Sequence, residues 1–233
     1  MKGHSRLALP QTFVLATALA LFSSAAQAEL VLSQLVVDLG QSSRQRADIE
    51  VWNNSDERAY VAVEPSEIVN AGRADEERRM EPDPEKRGIL VSPTRMILEP
   101  KQRKLIRVAV IGPRSNGERV YRVTVKPVTG ELSATDSGLK LLVGYDVLVL
   151  LRPVEIRQDL AAVRSGNRLT FRNQGNSSVE LVNGKQCDAS RKSCEDLRGK
   201  RLYAGAEWTQ QTNSNGPVEY TIISNGQSER KVY

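Results

Sequence analysis

The residue types that carry most enzyme chemistry are scarce in this chain of 233 residues. Its single histidine, His4, lies in the first 28 residues, which have the features of a removable targeting segment. Without an imidazole, the rest of the chain can build neither a Ser–His or Cys–His nucleophile nor a His-ligated metal site. We therefore expect no catalytic residues, no metal site and no cofactor.

The two cysteines, Cys187 and Cys194, are the residues that could form a covalent cross-link. In an exported protein such a close pair indicates a disulfide that closes a local loop. Redox or metal chemistry is the alternative. It is disfavoured because the spacing is not C-x-x-C and no other ligand types gather nearby.

The most regular pattern in the chain is an alternation of apolar residues within residues 139–152. The apolar odd positions are Leu139, Leu141, Val143, Tyr145, Val147, Val149 and Leu151. A period of two indicates one long strand with an apolar face. A typical strand has about five or six residues, so this one is expected to extend beyond its sheet. An overhanging apolar edge invites aggregation unless a partner pairs with it, which favours a protein that lends a strand.

Residues 1–28 are predicted to be a signal peptide. Lys2 and Arg6 precede an apolar run, and the small residues Ala26 and Ala28 predict cleavage before Glu29. An uncleaved membrane anchor is the alternative, but the apolar run is short for a span of about 20 residues. No other stretch is long and apolar enough to cross a bilayer, so we expect an exported protein without membrane insertion.

The charge of the chain does not indicate a nucleic-acid partner. Loss of Lys2 and Arg6 with the signal peptide lowers the formal net charge from +5 to +3. The basic residues do not cluster with exposed aromatic residues as they do in single-strand binders.

Short strand patterns separated by turn residues recur along the mature chain, with no convincing helix. A spacing of about eight to twelve residues favours a β-sandwich of the immunoglobulin type. Pro153 cannot continue a central strand, so we predict a first domain at residues 29–153 and a smaller one at 154–233. The charged stretch at residues 71–87 is interpreted as a solvated, mobile loop.

Three segments, in their order and spacing, resemble the periplasmic pilus-assembly chaperones of the chaperone–usher pathway, the PapD-like family. They are VSPTRMILEPKQRKLIRV at residues 91–108, GERVYRVTVKPV at 117–128 and the long strand ending in LLRP at 150–153. The resemblance implies an all-β protein in the periplasm. It also implies two immunoglobulin-like β-sandwich domains set at an angle, in a boomerang shape, with a cleft between them.

Members of this family hold a pilus subunit that lacks its final strand and fill the gap with a strand of their own. Counting back from Arg152 and Pro153 places the donor residues at Leu139, Leu141 and Val143, with Tyr145 next on the same face. The alternative is that all of these residues pack the chain's own core. That alternative is preferred for the remaining odd positions, Val147, Val149 and Leu151.

The resemblance also implies sites for charged residues. Relatives anchor the subunit's C-terminal carboxylate with an Arg and a Lys, at positions that hold Gln34 and Leu148 here. This departure indicates a divergent branch or an anchor built from other cations. The candidate cations are Lys140, Arg122 and Lys126, for which plain solvation is the alternative. Glu118 and Arg152 match an interdomain salt bridge, whose acidic partner from the second domain is not identified.

The leading hypothesis is a non-enzymatic chaperone that binds, folds and caps fimbrial subunits and delivers them to an outer-membrane usher. A pilus subunit or adhesin module of immunoglobulin-like fold is the second hypothesis. An exported enzyme is the third. An exposed donor strand also predicts a self-capping homodimer.

Overall fold

The computed structural model describes residues 30–40, 45–128, 143–188 and 193–233. The fold is all-β, as predicted, with one short helix among the described residues. The first elements are β1 Leu30–Leu32, β2 Val36–Leu39, β3 Arg46–Asn53, β4 Ala59–Val69, β5 Glu77–Arg79, α1 Pro84–Arg87, β6 Ile89–Ser92, β7 Arg95–Leu98, β8 Arg103–Val110, β9 Arg119–Val128 and β10 Tyr145–Leu151. The remaining strands are β11 Leu160–Ser165, β12 Arg168–Asn173, β13 Val179–Cys187, β14 Cys194–Leu197, β15 Lys200–Leu202, β16 Glu207–Gln211, β17 Val218–Ser224 and β18 Gln227–Val232.

Strands β1 to β10 form two sheets with an immunoglobulin-like arrangement. One sheet has the order β1-β3-β8-β6, and the other has the order β2-β10-β9-β4-β5 with β7 also paired to β4. Alternate side chains of both sheets share one apolar core, which includes Ile49, Ile106, Val123 and Val149. The period of two therefore places one face of each strand in a sandwich interior.

Strands β11 to β18 form a second, smaller pair of sheets. Their orders are β11-β12-β16 and β14-β13-β17-β18, with β15 also paired to β13. Phe171, Trp208 and Tyr220 make stacked and edge-to-face ring contacts in the core of this half. The Cys187–Cys194 disulfide joins β13 to β14, where the two cysteines lie opposite each other.

Strand β10 has neighbours of unequal length on its two sides. It pairs antiparallel with β9 along residues 145–151 but parallel with β2 only along residues 148–151. Within the described ranges, the edge of residues 145–147 that faces away from β9 therefore has no strand partner. The preceding residues Leu139, Lys140 and Leu141 lie outside the described part of the chain.

The charged stretch at residues 71–87, expected to be a loop, instead contains β5 and α1. Strand β5 pairs with the end of β4, which places Arg78 opposite Ile68. The side chain of Asp83 caps α1, and Gly88 ends it with a φ of 82° that favours glycine. The expectation was wrong because all three β5 residues are exposed and carry no apolar alternation.

Candidate functional site

The odd face of β10 is divided between the protein's own core and solvent. Val147, Val149 and Leu151 are buried in the first sandwich, as predicted. Val143, which precedes the strand, is 60% exposed. The apolar alternation therefore continues from a packed core to an exposed Val143.

Tyr145 lies at the boundary between these two parts. Its ring is partly buried against the core, and its hydroxyl donates a hydrogen bond to the carbonyl of Leu30 at 2.7 Å. Tyr145 thus contributes to its own sandwich and links the start of β10 to β1. At Gly144, a Cβ atom would come within 2.9 Å of the Lys126 Cβ atom, so glycine permits close approach of the neighbouring strand.

The even face of β10 lies toward the second half of the molecule. Leu148 and Leu150 are buried with Ile68 and Val120, and the partly buried Tyr203 from the second half packs against this cluster. Burial raises the pKa of the Tyr203 hydroxyl, so the ring stays neutral. Leu148 is thus a packing residue.

Gln34, the other position that holds a cation in relatives, also has a structural role. Its side-chain amide donates a hydrogen bond to the carbonyl of Asp48 at 2.9 Å. Gln34 and Leu148 are uncharged and provide no positive charge for a ligand. Gln34 instead holds the backbone of β3, and Leu148 fills an apolar cluster.

The candidate cations differ in their surroundings. Arg122 lies directly opposite Leu148 on β9, and its Nη1 donates to the carbonyl of Asp146 at 3.1 Å. Lys126 is paired with Glu64, with 2.8 Å between Nζ and Oε2. Lys140 lies outside the described residues. Arg122 is therefore the described candidate nearest to the position of the missing lysine.

Arg122 borders a cleft between the two halves with a volume of about 250 Å³. A second arginine, Arg78 of β5, lines the same cleft, and its Nη2 is 2.5 Å from Oδ2 of Asp146. Thr124 donates to the other carboxylate oxygen of Asp146 at 2.9 Å. The cleft is lined by Ile68, Ala71, Glu76, Arg78, Val120, Arg122, Asp146 and Tyr203. Sequence reasoning missed Arg78 because it assigned this segment to a loop.

A second cluster of charges surrounds Arg152 at the far end of β10. The Nη1 group of Arg152 contacts Oε2 of Glu118, and its Nη2 is 2.8 Å from Oδ2 of Asp38. Burial opposes the charge on Arg152. The hydrogen bonds that Arg152 donates to Asp38 and the negative charge of Glu118 outweigh this effect, so the pKa of Arg152 is raised.

The second half of the molecule joins this cluster through hydroxyl groups. Nη1 of Arg152 donates to Oγ of Ser177 at 2.9 Å and to Oγ of Ser178 at 3.0 Å. Both hydroxyls and the Ser178 backbone N–H also donate to Glu118 Oε2. Among the described residues, both acidic side chains that contact Arg152, Asp38 and Glu118, come from the first half. The two serines take the place expected for an acid of the second half.

Neither a metal-binding cluster nor a membrane-spanning helix is found in the described part of the chain. No group of three or more His, Cys, Asp or Glu residues is arranged to hold a metal ion there. No helix of these residues is long and apolar enough to span a membrane.

Known proteins share both a sequence pattern and the fold. The family model for the pili and flagellar-assembly chaperone, PapD N-terminal domain, matches residues 29–157. The class 5 fimbriae chaperone CfaA has a TM-score of 0.65 at 22% identity, covering 87% of this chain and 98% of that chain. No curated protein sequence matches the chain.

Two further solved structures have the same fold. One is a chain from the structure of the Salmonella enterica SafA pilin in complex with the SafB chaperone. It has a TM-score of 0.64 at 19% identity and covers 90% of this chain and 98% of that one. The Pseudomonas aeruginosa CupB2 chaperone has a TM-score of 0.56 at 14% identity, covering 87% and 98% of the two chains.

Proposed function

The chain belongs to the family of pili and flagellar-assembly chaperones with a PapD N-terminal domain, and we propose that it is a periplasmic chaperone that caps fimbrial subunits by donating residues 139–143 as a strand. The observation that carries this proposal is the arrangement of β10. Its apolar alternation passes from a packed core to an exposed Val143. At residues 145–147, the edge of β10 that faces away from β9 has no strand partner within the described ranges.

Strand donation accounts for both features. An added strand satisfies backbone hydrogen bonds at an open edge, which provides affinity for many partners, and alternate side chains set the register. Leu139, Leu141 and Val143 are the proposed donor residues. Burial of each in a subunit would contribute about 1.5–3 kcal/mol. The packed residues Val147 and Val149 hold the base of this segment rigid.

We assign Arg122 as the cation that receives the subunit's C-terminal carboxylate. The support is its position opposite Leu148, at the edge of an open cleft. Lys126 is a weaker candidate because it is paired with Glu64 and does not line this cleft. Delivery of the capped subunit to an outer-membrane usher completes the proposed role. In the free state, a second copy of the chain covers the same donor segment and forms a self-capping homodimer.

The proposal is tested by co-expression with fimbrial subunits encoded beside this gene. A charge inside an apolar groove prevents insertion of the strand, so Leu141→Glu is expected to abolish co-purification of the subunit. The matched control is Leu105→Glu, because Leu105 is an exposed leucine on β8, in the sheet that does not contain β10. Circular dichroism should show both variants folded. Retention of the subunit by Leu141→Glu would refute the donor assignment.

A further inference from the structure

Two arginines from different strands converge on one carboxylate in the cleft. Nη2 of Arg78 is 2.5 Å from Oδ2 of Asp146, and Nε of Arg122 is 3.9 Å from the same oxygen. Arg122 also donates to the backbone carbonyl of Asp146. Asp146 therefore lies between two guanidinium groups that come from β5 and β9.

This cluster is open to solvent. The side chains of Arg78, Asp146 and Arg122 are 45%, 43% and 34% exposed. An ion pair with this exposure contributes only about 0–1 kcal/mol, so it can exchange one anion for another at little cost. Glu76 also lines the cleft, but its carboxylate accepts a hydrogen bond from the backbone of Gly72 at 2.6 Å.

We propose that Arg78 and Arg122 form a two-arginine carboxylate site, and that Asp146 occupies this site in the free protein as an internal competitor. The inference rests on the proposed function, because the ligand that displaces Asp146 is the terminal carboxylate of a bound subunit. Guanidinium groups suit this ligand since their paired N–H donors match the two oxygens of a carboxylate.

The position of Asp146 fits an exchange of this kind. It lies on β10 three residues after Val143, at the start of the edge to which a subunit strand would add. Neighbouring strands are about 4.8 Å apart. A strand added at this edge lies two spacings, about 10 Å, from β9. The Arg122 side chain already crosses one of these spacings to reach the carbonyl of Asp146 on β10, so a chain end that passes over Asp146 comes within its reach.

The surface of the cleft is mainly polar. Ile68 and Val120 are buried beneath it, and Tyr203 forms one wall. The ligand class is thus a polypeptide C-terminus that is recognised through its carboxylate.

The first experiment uses sodium acetate as the probe, with sodium chloride at equal ionic strength as the reference. The Nε–H resonances of the arginines are followed by NMR in the ¹⁵N-labelled mature protein. Acetate should shift the resonances of Arg78 and Arg122. In Asp146→Asn the midpoint, which is the acetate concentration that gives half of the maximal shift, should fall by about two- to fivefold. The substitution removes a competing, half-exposed ion pair, and that fold-change corresponds to about 0.5–1 kcal/mol. The matched control is Asp48→Asn, which removes a partly exposed carboxylate from Arg107 on the outer face of β3 and β8.

An unchanged midpoint in Asp146→Asn would overturn the competitor role, and so would a higher one. An equal shift with chloride would overturn carboxylate recognition. These results do not depend on strand donation, so they differ from a failure of the Leu141→Glu test.

The second experiment measures how long the co-purified subunit is retained. Arg78→Gln should release the subunit at least about threefold faster than Arg107→Gln, which changes an arginine of similar exposure elsewhere. Equal release from the two variants would exclude Arg78 from the site.

Discussion

Two charged clusters on the even face of β10 differ in burial, although Asp146 and Arg152 belong to the same stretch of chain. The cluster at Arg152 has a closed central pair, with side-chain exposures of 5% for Arg152 and 1% for Glu118, and Asp38 at its rim is 41% exposed. The cluster at Asp146 is open, and its three charged side chains are about a third to a half exposed. Buried charges must keep their partners, whereas exposed charges can exchange them. This difference indicates that the cluster at Arg152 stabilises the fold, whereas the cluster at Asp146 can exchange its anion for a ligand.

The largest expected effect comes from breaking the closed cluster. Arg152→Leu leaves the buried carboxylate of Glu118 without its cation, which should lower the free energy of unfolding by about 3–5 kcal/mol. Urea denaturation followed by circular dichroism measures the change. Arg107→Leu is the control, because Arg107 is half exposed and its partner Asp48 is partly exposed, so the expected loss is about 0–1 kcal/mol. Equal losses in the two variants would contradict the structural role of the closed cluster.

An intermediate effect is expected at Leu148, which lies between the two clusters. Leu148→Lys restores the residue type of relatives but places an ammonium group among Ile68, Val120 and Leu150. The free energy of unfolding should fall by about 2 kcal/mol, since the site contains a buried apolar cluster. Thermal unfolding monitors the loss. A variant as stable as the parent would show that this cluster opens readily to solvent.

The smallest effect on stability is expected in the open cluster. Arg78→Gln should change the free energy of unfolding by no more than about 1 kcal/mol, because the Arg78–Asp146 pair is half exposed. Urea denaturation under the conditions used for Arg152→Leu gives the comparison. A loss of unfolding free energy as large as that of Arg152→Leu would mean that the cluster at Asp146 also stabilises the fold. The two clusters would then not differ in role.

Strong periodic patterns allowed the fold and β10 to be predicted from the sequence. The alternation at residues 147–151 indicated a strand with a buried face, and the structure confirms that Val147, Val149 and Leu151 pack in the core. The same pattern did not reveal that Leu148 and Leu150 would also be buried. Their burial depends on Tyr203, which is distant in sequence and meets them only through the packing of the two halves.

Elements without an apolar face were harder to predict. All residues of β5 are exposed, and β18 at the edge of the second half is also exposed throughout. Such strands form because a neighbour offers backbone hydrogen bonds, and their own side chains give no periodic signal. Arg78 was missed for this reason. Ser177 and Ser178 were missed because hydroxyl groups replaced the expected acid.

The link between Tyr145 and Leu30 has a consequence for the order in which the chain folds. These residues are 115 positions apart, and the pairing of β2 with β10 is of similar sequence separation. When a chain crosses a membrane N-terminus first, β1 and β2 emerge early and wait for β10. Contacts of such high sequence separation delay closure of the first sandwich until residue 151 has followed. A chain exported in this way keeps its first sandwich open for most of the passage, and residues 139–143 emerge just before β10.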